Sequence, residues 1–118
     1  MKTLVIGASH NPARYSYMAV KMLKQYKHEV VALGRRARGV EDWEIIDGTP
    51  DIPNLDTITV YLNADNQKEY YDYFLKLNPR RVIFNPGAEN PELVVLLNKN
   101  GIETENACTL VMLRSNQF

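Results

Sequence analysis

The hydrophobic and polar positions along this chain predict strands that alternate with helices. Short apolar runs closed by glycine or turn formers are typical of buried strands. The predicted strands are Lys2–Ile6, Glu29–Leu33, Glu44–Ile46, Thr57–Leu62, Arg81–Phe84 and Ile102–Glu105. Apolar residues at helical spacing predict helices between these runs. They extend from Ser16 to about Tyr26, from about Asp65 to Leu77, over 91–100 and, for a turn or two, over Cys108–Leu113.

Capping residues mark the ends of two of these helices. Ser16 is expected to cap the first helix, because its hydroxyl can accept a hydrogen bond from a free backbone amide. The clearest helix follows Asn90 as its N-cap, has Pro91 in its first turn and ends before Gly101. The polar segment 35–42 is expected to be irregular.

Strands joined by crossover helices predict a parallel sheet, because parallel neighbours need long connections. We therefore expect an α/β fold with a single doubly wound, Rossmann-like domain over residues 1–118. Its sheet is expected to be mostly parallel, with five to six strands and helices on both faces.

The composition excludes several classes of protein. The chain has 118 residues, 45% of them hydrophobic and 24% charged, which is typical of one soluble globular domain. Cys108 is the only cysteine, and the two histidines have no clustered carboxylates, so neither a disulfide nor a metal site is expected. No apolar run approaches the roughly 20 residues of a membrane span. The apolar N-terminus is too short for a signal peptide, so we expect a cytoplasmic protein that binds no membrane.

Equal numbers of acidic and basic residues hide an uneven distribution. Residues 1–40 contain eight basic side chains and one acidic one, whereas residues 41–118 contain six basic and thirteen acidic side chains. A basic segment in a neutral protein favours a local anion site over a nucleic-acid surface. The alternative is a set of solvated helix faces, which explains Lys21, Lys24 and Lys27.

The loop after the first strand, residues 7–16, is the main candidate binding site, because ligands of doubly wound folds bind beyond the carboxyl ends of the strands. Gly7 and Ala8 allow the backbone to approach a ligand closely. Free amides at the start of the next helix favour an anion, and the charge of Arg14 suits a phosphate. Further hydroxyl and amide groups come from Ser9, Asn11 and Ser16.

This loop differs from the common nucleotide-binding motifs. Only Gly7 of the three glycines in G-x-G-x-x-G is present, and no Walker lysine follows. NAD-binding proteins usually place an acid after the second strand, whereas this chain has Gly34, Arg35 and Arg36 there. Arginine at this position favours a phosphorylated ribose, as in NADP or coenzyme A. The alternative is that these are ordinary surface arginines.

Three motifs in this order are fairly specific for one family in a chain of this length. They are Gly-Ala-Ser-His-Asn-Pro at 7–12 with Ser16 nearby, Asn-Pro-Gly-Ala at 85–88, and Glu-Asn-Ala-Cys-Thr at 105–109. The chain resembles the small stand-alone CoA-binding domains, which are similar to the N-terminal domain of the succinyl-CoA ligase alpha subunit. The resemblance covers essentially the whole chain.

The resemblance implies a coenzyme A pocket built from three groups of loops. The pyrophosphate would be held by the first loop, with Gly7, Ala8, Ser9, Asn11, Pro12, Arg14 and Ser16. The phosphorylated ribose and the adenine edge would meet Gly34, Arg35 and Arg36. The adenine or pantetheine path would be lined by Leu62, Asn63, Asn85, Pro86 and Gly87. Family members often carry Asn-Pro after the second strand, so the replacement by Gly34-Arg35 leaves the ribose contacts open.

These observations favour a module that binds CoA or an acyl-CoA and is non-catalytic on its own. Ligase activity is not implied, because the chain lacks the domain that would supply that chemistry. The alternatives are a small NADP-dependent oxidoreductase or redox sensor, and a structural interaction domain whose nucleotide site has decayed. A homodimer and a larger acyl-CoA enzyme both stay open as partners.

Two single residues have both a chemical and an ordinary interpretation. His10 lies in the candidate loop, but no carboxylate nearby in sequence would orient it, which favours a ligand or solvent contact over catalysis. Cys108 is either a buried core thiol, the favoured interpretation, or a reactive thiol near the ligand.

Overall fold

The computed structural model describes residues 1–118 and contains one sheet of seven strands. The strands are β1 (Lys2–Ile6), β2 (Glu29–Leu33), β3 (Arg38–Val40), β4 (Trp43–Ile46), β5 (Leu55–Val60), β6 (Arg81–Phe84) and β7 (Glu103–Asn106). Their order across the sheet is β3-β4-β2-β1-β5-β6-β7. All neighbouring pairs are parallel except β3 and β4, which are antiparallel. The α/β, mostly parallel fold class is therefore confirmed.

The chain has five α-helices, of which the first four lie between strands and the fifth follows β7. They are α1 (Tyr15–Gln25), α2 (Ala64–Gln67), α3 (Tyr71–Leu77), α4 (Pro91–Lys99) and α5 (Thr109–Arg114). Asn90 caps α4 as predicted, because its side-chain oxygen accepts a hydrogen bond from the Leu93 amide at 3.2 Å. None of the five helices is long and apolar enough to cross a membrane.

Two hydrophobic clusters lie on opposite faces of the sheet, because side chains of a strand alternate between its faces. Leu4 belongs to the larger cluster, together with Phe74 of α3 and Leu93 of α4. Val5 belongs to the smaller cluster, together with side chains of α1 and α5. Helices therefore cover both faces, as the sequence predicts.

The sheet has one strand more than the five to six predicted. Strand β3 lies in the segment 35–42, which was expected to be irregular, and pairs with β4 through a tight turn at Glu41. Only Val40 of β3 is buried. A strand this short and exposed has no alternating apolar pattern by which the sequence could reveal it.

Three predicted element boundaries are wrong. Helix α1 begins at Tyr15, with Arg14 at its N-cap position and no side-chain capping hydrogen bond, so the predicted cap Ser16 lies buried in the first turn instead. The helix expected over 65–77 is interrupted by a 3₁₀ turn at Lys68–Tyr70. Strand β5 was predicted over Thr57–Leu62 but begins and ends two residues earlier, because Val60 is the last of its residues that pairs with β1.

Candidate functional site

The carboxyl ends of four parallel strands meet at one edge of the sheet. In the strand register, Ile6 of β1 lies beside Leu33 of β2 and Val60 of β5, and Val60 lies beside Phe84 of β6. The loops after these strands therefore meet in space. These are the loops that the sequence analysis selected.

Two glycines allow the first two loops to pack this closely. Gly7 has a φ of +89°, and a Cβ built there would lie 3.0 Å from the carbonyl carbon of Tyr61. A Cβ at Gly34 would lie 2.9 Å from the carbonyl oxygen of Ala8 and 2.9 Å from a methyl group of Ile45. Real Cβ contacts are essentially never shorter than 3.0 Å. Gly34 therefore requires glycine for steric reasons, and Gly7 requires it because its backbone is left-handed and its surroundings are tight.

The loop after β1 is shaped by its own side chains. The Ser9 hydroxyl accepts a hydrogen bond from the Asn11 amide, and the Asn11 side-chain oxygen accepts one from the Ala13 amide, each at 3.0 Å. The Gly7 and Ala8 amides donate to the carbonyl oxygen of Leu33 at 3.0 and 2.9 Å. Because those amides are occupied, only the later part of the loop has free donors.

The free backbone donors lie at two places on the loop. The amides of Ser9 and His10 make no hydrogen bond within the chain, and neither do those of Tyr15, Ser16 and Tyr17 at the start of α1. Unpaired amides at a helix N-terminus attract anions. The loop therefore has the hydrogen-bonding character that a phosphate group needs.

Three adjoining hollows follow this edge of the sheet. The first, which we call the arginine hollow, has a volume of about 610 Å³ and is lined by Ala8, Ser9, His10, Arg35, Arg36, Ala37, Arg38 and Ile45. The three arginines are exposed and make no salt bridge with an acidic side chain. The loop that carries them is fixed where the Ala37 amide donates to the Asp47 carboxylate at 2.9 Å.

The second, the loop hollow, has a volume of about 460 Å³ and is lined by Gly7, Ser9, Arg14, Tyr15, Ser16, Tyr61, Asn63, Pro86, Gly87 and Ala88. The third, the apolar hollow, has a volume of about 270 Å³ and is lined by Tyr15, Tyr61, Asn85, Pro86, Cys108, Leu110, Val111 and Arg114. The loop hollow shares Ser9 with the arginine hollow and shares Tyr15, Tyr61 and Pro86 with the apolar hollow. The three hollows therefore form one continuous series with the loop hollow in the middle.

Most of the candidate residues come together along this series. The lining includes Gly7, Ala8, Ser9, Arg14, Ser16, Arg35, Arg36, Asn63, Asn85, Pro86 and Gly87. Asn11, Pro12 and Gly34 line none of the three hollows. Asn11 and Gly34 instead shape and position the loop that does.

Two candidate asparagines use their side chains to hold the protein together. Asn63 caps α2 by accepting a hydrogen bond from the Asn66 amide at 3.0 Å. The buried Asn85 side chain donates to the Thr59 hydroxyl at 2.7 Å and to the Val60 carbonyl at 2.9 Å, and accepts from the Thr109 amide at 2.9 Å. Asn85 thus joins β5, β6 and α5, so that both side chains fix the loops around the hollows.

Tyr61 is a residue of the series that the sequence analysis missed. Burial raises the pKa of its phenol to about 12, so the hydroxyl is protonated at neutral pH. The hydroxyl oxygen is buried in the interior, beside the Thr59 and Thr109 side chains. Tyr61 directly follows β5, and residues at the carboxyl ends of parallel strands are candidates for ligand contact. The sequence analysis placed Tyr61 inside the predicted strand and therefore did not select it.

Arg114 and Val111 on α5 were also missed, although both line the apolar hollow. Nothing in the local sequence distinguishes them from other surface residues of a short helix. Their position depends on how α5 packs beside the ends of β5 and β6, which is a tertiary contact.

Comparisons with known proteins identify the family and the fold of the chain. The family model of the CoA binding domain matches residues 1–114, so the chain belongs to the CoA-binding domain family. The resemblance seen in the sequence motifs is thereby confirmed. No functionally curated protein matches the sequence.

Solved structures share the fold over nearly the whole chain. The crystal structure of an uncharacterized protein is similar with a TM-score of 0.96 and 47% identity, covering 99% of this chain and 97% of the other. A hypothetical protein from Pyrococcus horikoshii OT3 has a TM-score of 0.86 and 19% identity, covering 96% of this chain and 81% of its own. A segment of the dinucleotide forming acetyl-coenzyme A synthetase 1 of Ca. Korarchaeum cryptofilum has a TM-score of 0.73 and 19% identity, covering 90% of this chain and 25% of the synthetase. At the two lower identities the likeness concerns the fold alone.

Proposed function

We propose that this protein is a binding module for coenzyme A or an acyl-CoA, held along the three hollows. The observation that carries the proposal is the order of the hollows, in which an arginine cluster is followed by a loop with free amides and then by an apolar hollow. Coenzyme A has the same order of chemistry, with a phosphorylated ribose, a pyrophosphate and a pantetheine arm. Membership of the CoA-binding domain family supports the choice of this ligand.

The loop after β1 would hold the pyrophosphate. The free amides of Ser9 and His10 and those at the start of α1 can donate to its oxygens. Arg14 lines the same hollow and adds a positive charge. Hydrogen bonds to charged groups are stronger than those between neutral groups.

The arginine hollow would hold the phosphorylated ribose. Arg35 and Arg36 lie directly after Gly34, and neither is neutralised by a carboxylate within salt-bridge distance. A guanidinium group can give two parallel hydrogen bonds to a phosphate. The 3′-phosphate of coenzyme A is the group that this hollow would recognise.

The pantetheine arm would pass from the loop hollow into the apolar hollow. Tyr15, Tyr61 and Pro86 border both hollows and offer a mostly apolar wall. The ring of Tyr61 would contribute to this wall, because its hydroxyl is buried in the protein interior. A path of this kind favours coenzyme A over NADP, whose second half is a charged nicotinamide.

The experiment that tests the proposal is a thermal-shift series with CoA, dephospho-CoA, NADP and NAD. A ligand at 100 times its dissociation constant adds about 2.7 kcal/mol of stability, which is easily seen as a rise in Tm. We expect CoA to give the largest rise and dephospho-CoA a smaller one. The double variant Arg35→Gln/Arg36→Gln is expected to bind CoA at least about tenfold more weakly, but dephospho-CoA as the wild type does.

A control for the loss of charge is the variant Lys76→Gln/Lys99→Gln. Both lysines are exposed, make no salt bridge and lie outside the hollows. This variant is expected to bind CoA like the wild type. Equal binding of CoA and dephospho-CoA would contradict the ribose assignment, and a shift with NADP alone would favour the oxidoreductase alternative. No shift with any nucleotide would favour a decayed site.

A further inference from the structure

The apolar hollow lies at the end of the series opposite to the arginines. It shares three lining residues with the loop hollow and none with the arginine hollow. If the phosphorylated ribose occupies the arginine hollow, the thiol end of the ligand reaches the apolar hollow. This inference therefore rests on the proposed function and concerns the group attached to that thiol.

Exposed apolar surface borders this hollow. Tyr15 and Val111 are 70% and 57% exposed, and they are two of the five large hydrophobic side chains of the chain that are left exposed. Apolar side chains that gather around a cavity are a common sign of a ligand surface. A short carbon chain in the hollow would cover both of them.

One charged side chain lines this apolar hollow. Arg114 follows Leu110 by four positions and Val111 by three on α5, so the three side chains lie on one side of the helix. The Arg114 guanidinium makes no hydrogen bond and no salt bridge within the chain. Its planar group of N–H donors matches a carboxylate, which it can bind through two parallel hydrogen bonds.

We propose that the apolar hollow binds the acyl group of an acyl-CoA whose far end is a carboxylate, and that Arg114 binds this carboxylate. The apolar wall would contact the carbon chain between the thioester and the carboxylate. Arg114 would then determine which acyl groups are preferred. The ordinary alternative is that Arg114 only stabilises the C-terminus of α5, where a cation is favourable.

The test compares acyl-CoAs of equal carbon number that differ in one terminal group. Dissociation constants are measured by calorimetry for succinyl-CoA against butyryl-CoA and for glutaryl-CoA against pentanoyl-CoA. In at least one pair, the wild type is expected to bind the thioester that ends in a carboxylate about tenfold more tightly than the one that ends in a methyl group. This ratio corresponds to the free energy of one charge-assisted hydrogen bond at a partly open site. Arg114→Gln is expected to remove this preference while free CoA binds as before, and Arg114→Lys is expected to retain part of it.

Two control variants separate the alternatives. Lys99→Gln removes a cation from the last turn of α4, outside the hollows, and is expected to keep the preference. Lys76→Gln removes an exposed cation from α3, also outside the hollows, and is expected to keep the preference as well. Equal affinities within both pairs, or a preference that survives in Arg114→Gln, would overturn the assignment of Arg114 while CoA binding stands. Failure of CoA and all four thioesters to bind would instead refute the proposed function.

Discussion

The close approach of the first two loops can be tested with a single methyl group at Gly34. In Gly34→Ala, the new Cβ would lie 2.9 Å from both the Ala8 carbonyl oxygen and the Ile45 side chain. Neither neighbour can withdraw easily, because the Ala8 amide is bonded to Leu33 and Ile45 is buried. Overpacking of this kind costs about 1–3 kcal/mol, which corresponds to a fall in Tm of about 4–12 °C for a chain of this size.

The measurement is urea unfolding followed by the fluorescence of Trp43, the only tryptophan of the chain. Gly39→Ala is a matched control, because a Cβ at Gly39 has no atom within 4 Å and its backbone is not left-handed. We expect the control to change the free energy of unfolding by less than about 0.5 kcal/mol. Because Ala8 and Ser9 line the arginine hollow, Gly34→Ala is also expected to weaken CoA binding. If Gly34→Ala is as stable as Gly39→Ala, the steric argument for glycine at this position is refuted.

Three further predictions concern stability. Asn85→Ala leaves the buried Thr109 amide without its acceptor and should lower the free energy of unfolding by about 2–4 kcal/mol in a denaturant titration; a loss below about 0.5 kcal/mol would show that this bond is dispensable. Two hydrogen bonds from Arg80 hold the pKa of Asp56 below its ordinary value of 3.8, so this pair stabilises the fold above pH 3.8 and loses its effect as the pH falls through the lowered pKa. Asp56→Asn should therefore cost about 1 kcal/mol or less at pH 7 and progressively less as the pH falls below 3.8, and a cost independent of pH would contradict this. Phe118 packs under the Arg81 guanidinium at 4.5 Å from its ring centre, so Phe118→Ala should lower Tm by a few degrees, whereas Gln117→Ala should not.

The central strands and α4 were predictable because their signals are local. Strand β1 is a continuous apolar run closed by Gly7, and α4 has its cap, its first-turn proline and its final glycine in sequence. The break between α2 and α3 has no such signal. Gln67 is buried there and donates to the carbonyl oxygen of the nearby Leu62 and to that of Ala88, which lies 21 residues away. Tertiary contacts overrode the helical spacing in this segment.

The candidate site was predictable at the ends of strands and unpredictable elsewhere. Gly7 and Arg35 follow predicted strands, so the rule that ligands bind at carboxyl ends found both. Arg114 belongs to a helix that reaches the site only through packing. The role of Asn85 was also invisible in the sequence, since an asparagine after a strand can face a ligand or, as its three hydrogen bonds show here, the interior.

The two outer strands of the sheet limit how copies of this protein can associate. Strand β3 has only three residues and begins with the exposed Arg38, and β7 carries Glu103 and Glu105. Short, charged edge strands resist pairing with the backbone of another chain. A second copy therefore cannot readily extend the sheet from either side. Self-association through helix surfaces away from the hollows would leave ligand binding unaffected, whereas self-association through the loops around the hollows would couple assembly to ligand binding.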